Sequence, residues 1–227
     1  MLILPKRVFA IGNGESRKSI DLNELRPHGI TYGCNALYRD FQPDALVCVD
    51  PRMKSEVWLT DYLMENKGYF KEWTNTVPIS SYPDTEILPG QPGVLDSPKK
   101  VINSDEIIKK RFLDDAPHRM GYASGPSSVL IACIEEEPEE VYLIGHDMFS
   151  TTKYFNNVYK GTRNYLGSET DPCPPNNWIT QLKSCFNDFG SVQFYMVNPL
   201  KEKIDDWDGV ANIQYVTLDE MWKRLNR

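Results

Sequence analysis

The feature that most constrains this chain is the run Val8-Phe9-Ala10-Ile11, which stops at Gly12-Asn13-Gly14-Glu15-Ser16. Consecutive apolar residues that end at glycine read as a strand buried on both faces. Such strands belong to parallel sheets covered by helices. The pattern returns along the chain. Ile30 to Asn35 is rich in β-formers, Ala45 to Val49 is an apolar run ended by Asp50-Pro51, and Val141 to Ile144 runs into Gly145-His146-Asp147. Thr76 to Ser80, Val192 to Val197 and Ile213 to Val216 read as further strands.

Helical segments fall between these runs: Ser19 to Leu25, Lys54 to Glu65, Ser124 to Ile134, Trp178 to Phe189 and Thr217 to Leu225. Ser124-Gly125-Pro126 carries a start signal, with serine expected as the cap and proline in the first turn. Thr217 and Glu220 have capping-box spacing, and Glu135 to Glu140 reads as an acidic surface turn. Alternation of strands with helices predicts one Rossmann-like α/β domain over residues 1–227, with a mostly parallel sheet and helices on both faces. Two stretches stand apart. Pro83 to Pro98 is a loop crowded with proline and glycine, and Met148 to Asn176 is a long polar and aromatic insertion that reads as a lid or an acceptor-side loop.

A length of 227 residues suits a single core, and 41% hydrophobic against 25% charged residues argues against disorder. The formal charge of −7 and a pI near 5.1 exclude a general attraction to nucleic acid or anionic membranes. No apolar run approaches the roughly 20 residues of a membrane span, and Met1 to Pro5 is too short for a signal-peptide core, so the expected location is the cytoplasm. Five cysteines, an odd number, mostly within apolar segments, predict reduced thiols. No CxxC or HxxxH spacing points to a metal.

Ligands of parallel sheets bind outside the strands' carboxyl ends, which directs attention to the residues found there. Gly12, Asn13, Gly14, Glu15 and Ser16 form a glycine loop between a strand and a helical segment, a context that suits phosphate or a tight turn. The loop is neither GxGxxG, because Arg17 interrupts it, nor a P-loop. Ser124 and Gly125 open a helix whose first N–H groups have no helical partner. His146 beside Asp147 has the chemistry of a general base, and Asp50 is a carboxylate at a strand end. Lys153, Tyr154, Tyr159, Lys160, Arg163 and Tyr165 place cations and phenols in the long insertion, where they would face an acceptor or a phosphate.

Taken in order, Phe9 to Ser16, Gly33-Cys34-Asn35-Ala36-Leu37-Tyr38, Ala123-Ser124-Gly125 and Val141 to Asp147 resemble the motifs of bacterial sialyltransferases of glycosyltransferase family 42. The GNGxS loop also resembles 6-hydroxymethylpterin diphosphokinase-like proteins, and the likeness extends to uncharacterised tailed-phage proteins. The first resemblance implies a GT-A-like variant of the fold. It also implies a nucleotide held by Asn13, Gly14, Ser16 and Asn35, with Ser124 and Gly125 at the helix start. The chain departs from that family in two places: Asp171 to Phe189 lacks the expected histidine, and Glu15 stands where proline is common.

Three functions follow as expectations. The first is a glycosyltransferase with a nucleotide-sugar donor, with His146, Asp147 or Asp50 as base and no required cofactor. Its acceptor is left open among a glycan, a metabolite and a hydroxymethylated DNA base, the last opposed by the net charge. The second is a diphosphokinase using Mg²⁺ held by Asp50 and Asp147. The third is a nucleotide-binding protein without turnover.

Overall fold

The computed structural model describes residues 5–71, 100–150, 152–199 and 202–226. The strands are β1 (Arg7–Ile11), β2 (Ile30–Cys34), β3 (Ala45–Cys48), β4 (Lys67–Phe70), β5 (Val101–Asn103), β6 (Glu140–Ile144), β7 (Gln193–Val197) and β8 (Ile213–Val216). They form one sheet in the order β5-β4-β3-β2-β1-β6-β7-β8, and every neighbouring pair is parallel. The α-helices are α1 (Pro51–Trp58), α2 (Tyr62–Glu65), α3 (Ser104–Phe112), α4 (Ala116–Met120), α5 (Ser124–Glu136), α6 (Asn176–Asp188) and α7 (Leu218–Leu225).

The continuous apolar runs are explained by burial on both faces. In β1, Val8 and Ala10 join the core under α3 to α6, while Phe9 and Ile11 join the core under α1, α2 and α7. In β6, Val141 and Leu143 face the first core, while Tyr142 and Ile144 face the second. Strand alternation thus feeds two layers of helices from a central sheet that water does not reach.

The chain builds outward from β1 through β2 to β5, then returns to the other side of β1 with β6 and continues to β8. That reversal makes the gap between the ends of β1 and β6 the switch point of the sheet, where open α/β folds form a crevice.

Several local expectations change. The segment Ser19 to Leu25 is two 3₁₀ helices, Glu15–Ser19 and Leu22–His28, the second started by Asp21 and containing Pro27. Lys54 to Glu65 divides into α1 and α2. The surface turn expected at Glu135 to Glu140 is shorter, because α5 continues to Glu136 and Glu140 begins β6. The strand expected at Thr76 to Ser80 and the loop Pro83 to Pro98 lie outside the described residues. The capping box of α7 forms as expected, with Thr217 accepting from the Glu220 amide and Glu220 accepting from the Thr217 amide.

Candidate functional site

The loops after β1 and β6 cross in contact, and this crossing accounts for the glycines. The Gly12 amide donates to the Ile144 carbonyl at 2.7 Å, and the Gly14 amide donates to the Gly145 carbonyl at 2.8 Å. A Cβ on Gly12 would stand 2.4 Å from the Gly145 oxygen, and one on Gly14 would stand 2.4 Å from Asp147 Cγ. Gly145 itself has φ +66°, a left-handed conformation that glycine adopts without strain.

The remaining amides of the first loop are also largely engaged within the protein. The Glu15 amide donates to Asn156 Oδ1 at 2.8 Å, the Ser16 amide donates to Asp147 Oδ2 at 2.9 Å, and the Arg17 amide reaches the Gly14 carbonyl at 3.4 Å. The loop therefore does not offer the row of free N–H groups that a phosphate cradle requires. What it presents is Asn13. The Asn13 side chain is buried, and its Nδ2 donates to the Cys34 carbonyl at 3.1 Å and to the Tyr165 hydroxyl at 3.2 Å. Its Oδ1 is buried without a hydrogen-bond partner.

Asn13 lines a cleft of about 220 Å³ at the switch point. Gly12, Gly14, Asn35, Ser124, Gly125, His146 and Asp147 line it as well. Eight residues singled out from sequence are thus gathered around one space. Asn35 sits just past β2 with φ 51°, a conformation asparagine tolerates better than most residues, and its Oδ1 is also buried and unpartnered.

The cleft also meets the N-terminus of α5. Ser124 is not the cap: Ala123 occupies that position and makes no side-chain capping bond, so the first amides of this 13-residue helix are left to solvent or ligand. Ser124 Oγ instead accepts from the Val49 amide at 3.1 Å, tying the end of β3 to the helix. His146 lies against the same helix start, since a Cβ on Gly125 would be 3.7 Å from its Nδ1. Burial pushes the His146 pKa down to about 4, and a favourable contact with the Ala10 backbone offsets only part of that shift. The imidazole is neutral at neutral pH. Its Nε2 is buried without a well-formed hydrogen bond.

Five residues of the 148–176 insertion complete the wall: Met148, Phe155, Asn156, Asn157 and Tyr165, joined by Trp178 of α6. The insertion is bound to the body of the domain at several points. The Val158 amide donates to the Asn13 carbonyl at 2.8 Å, and the Tyr165 hydroxyl accepts from the Ala36 amide at 3.3 Å. Arg39 clasps Glu56 through Nε and Nη2 at 2.8 and 2.7 Å, and also reaches Thr162 Oγ1 and the Arg163 carbonyl, each at 2.9 Å. Arg17 is buried and bonded to Asp40 and to the Tyr159 hydroxyl.

Other residues singled out from sequence serve elsewhere. Asp50 is exposed and caps α1, accepting from the Arg52 amide at 2.8 Å and the Met53 amide at 3.3 Å. It does not line the cleft. Asp147 does line it, but its carboxylate is occupied by the amide and hydroxyl of Ser16. Glu15 turns to Lys18 at 2.5 Å and Lys160 at 3.3 Å, pairings that hold its carboxyl below the usual range, the Lys18 bond foremost. Glu15 and Ser16 line a neighbouring cleft of about 300 Å³. Tyr159 is buried in the insertion's contact with Asp40 and Arg17, and Lys153 stacks on Tyr154. None of Lys153, Tyr154, Tyr159, Lys160 and Arg163 lines the switch-point cleft.

Among the described residues, no lysine or arginine lines this cleft, so the negative charge of a ligand would be met chiefly by the start of α5. Sequence reasoning missed Asn156, Asn157 and Cys34, and the asparagine enrichment of the insertion was the available signal for the first two; Tyr165, expected to close over a sugar or a phosphate, does line the cleft. The Cys34 thiol is pushed up to about 12 by burial and stays protonated. No helix among the described residues is long and apolar enough to cross a membrane. Comparison of the chain with protein-family models and with curated proteins gives no match.

Proposed function

We propose that the switch-point cleft holds the nucleotide of a nucleotide-sugar donor, and that the protein transfers the sugar to an acceptor hydroxyl. The observation that carries the binding part is the pair of buried, unpartnered oxygens on Asn13 and Asn35 in a cleft that adjoins the open start of α5. Unpaired buried polar atoms cost about 1–3 kcal/mol each, and a bound ligand is what would recover that cost. The transfer part rests on the resemblance to family 42 sialyltransferases and on the groups left available for proton transfer.

Among the ionisable side chains of the cleft, Asp147 is occupied by Ser16, while Cys34 and Tyr165 are held protonated by burial. His146 is left. A base with a pKa near 4 is weak at neutral pH. A donor phosphate at the start of α5 would lie beside His146 and raise that pKa toward the working range, so the donor itself would activate the base. The diphosphokinase reading is not favoured, because Asp50 caps α1 outside the cleft and cannot join Asp147 there. Binding without turnover is the second reading, favoured by the weakness of His146 as a base.

The test is a thermal-shift screen of nucleotides and nucleotide sugars, followed by measurement of nucleotide release from each donor that binds. We expect stabilisation by at least one donor, with release that His146→Gln suppresses. If no nucleotide or nucleotide sugar raises Tm, the proposal is wrong. Binding without release establishes the second reading.

A further inference from the structure

Ile11 pairs with Gly33 in the parallel register of β1 and β2, so Asn13 and Asn35 each stand two residues beyond a matched pair. Neighbouring strands lie about 4.8 Å apart, and the two asparagines therefore leave the sheet side by side. Both line the cleft, and both bury an Oδ1 without a partner.

The orientation of the Asn13 amide is dictated by its surroundings. Nδ2 faces the Cys34 carbonyl at 3.1 Å, a group that can only accept. Turning the amide over would set oxygen against oxygen, so Oδ1 remains an acceptor aligned for an O–H or N–H donor. The Tyr165 hydroxyl reinforces this arrangement, accepting from Asn13 Nδ2 at 3.2 Å and from the Ala36 amide at 3.3 Å. With both lone pairs used, its own proton is left for donation. Both oxygens belong to residues that line the cleft and have no partner within the protein, so a hydrogen-bond donor placed at the cleft floor would satisfy them.

We propose that Asn13 and Asn35 form a paired acceptor site for the vicinal 2′- and 3′-hydroxyls of ribose, and that the protein selects ribonucleotides over 2′-deoxyribonucleotides. Adjacent hydroxyls supply two donors at neighbouring positions, the complement of two acceptors on adjacent strand ends. Removing the 2′-hydroxyl leaves one buried oxygen unpaired. The position agrees with the general logic of dinucleotide folds, where the residue closing the second strand reads the ribose diol. Here an amide replaces the usual carboxylate and adds no negative charge. Tyr165 is the positioning residue.

This inference rests on the nucleotide reading, and one titration separates the two. Calorimetry is carried out with the four ribonucleoside 5′-monophosphates and their 2′-deoxy counterparts, on the wild type and on Asn35→Gly. Glycine keeps the left-handed backbone of residue 35 while deleting the amide. For whichever base binds best, the ribose form is expected to bind about tenfold or more tightly than the deoxy form, and Asn35→Gly should bring that ratio close to one. Wild-type ratios within twofold of one, or an unchanged ratio in Asn35→Gly, overturn the paired-acceptor site while leaving nucleotide binding intact. Failure of all eight compounds to bind overturns both readings.

Discussion

Replacing Gly12 by alanine should destabilise the domain by roughly 3–5 kcal/mol, even in the absence of any ligand. The added Cβ would stand 2.4 Å from the Gly145 oxygen and 2.9 Å from the Gly145 carbonyl carbon, and both are backbone atoms that cannot rotate away. An ordinary contact begins near 3.4 Å, so the loops after β1 and β6 would have to part by about 1 Å. That movement strains the bond from the Gly12 amide to Ile144 and the bond from the Gly14 amide to Gly145, now 2.7 and 2.8 Å. Overpacking of this kind costs about 1–3 kcal/mol, and each buried amide left unpaired adds about as much. Urea unfolding reads the effect directly. With a slope of about 3 kcal/mol per molar, the midpoint should fall by about 1 M or more. Gly121→Ala is the control: a Cβ there meets nothing within 4 Å and φ is −82°, so its midpoint should move little or rise. Should Gly12→Ala unfold at the same midpoint as that control, the glycine is not needed for the crossing, and the account of the loop fails.

Two further outcomes follow from the same geometry. Burial depresses the His146 pKa to about 4, below its unfolded value, so the unfolded chain takes up a proton first as pH falls. Stability linked to His146 is full above about pH 6.5 and falls by up to roughly 3 kcal/mol toward pH 4, a decline that His146→Gln should flatten in urea titrations across that range. Identical pH dependence in the two proteins would contradict the burial of a neutral imidazole. Arg39→Ala removes the clasp between Glu56 and the insertion, so tryptic cleavage after Lys160 and Arg163 should quicken several-fold while the unfolding free energy falls by about 1–3 kcal/mol. Unchanged cleavage would show that the insertion is held by its other contacts alone.

The central strands were legible because each is buried on both faces and reads as an unbroken apolar run, as in Val8 to Ile11 and Val141 to Ile144. The outer strands β4 and β5 were not. Lys67-Gly68-Tyr69-Phe70 has a charged start and a glycine, and Val101-Ile102-Asn103 is too short to carry a period. The helices α3 and α4 that follow were missed for a related reason, since α3 buries little beyond Ser104, Asp105 and Ile108. Much of the candidate site was visible, because strand ends and helix starts are marked locally by glycine, asparagine and serine. The contact that joins its far wall to the first loop was not, because Tyr165 meets Asn13 across 152 residues of sequence and no local pattern encodes that pairing. The reason for the glycines was also hidden: the pattern looks the same whether a phosphate or a neighbouring carbonyl occupies the space.

The most direct measurement is a crystal structure of the protein with its tightest-binding ribonucleotide. Density is expected in the switch-point cleft, with the ribose hydroxyls on Asn13 and Asn35 and the phosphate against the first amides of α5 beside His146. A nucleotide bound outside this cleft, with the two asparagine oxygens still unpaired, would contradict this placement.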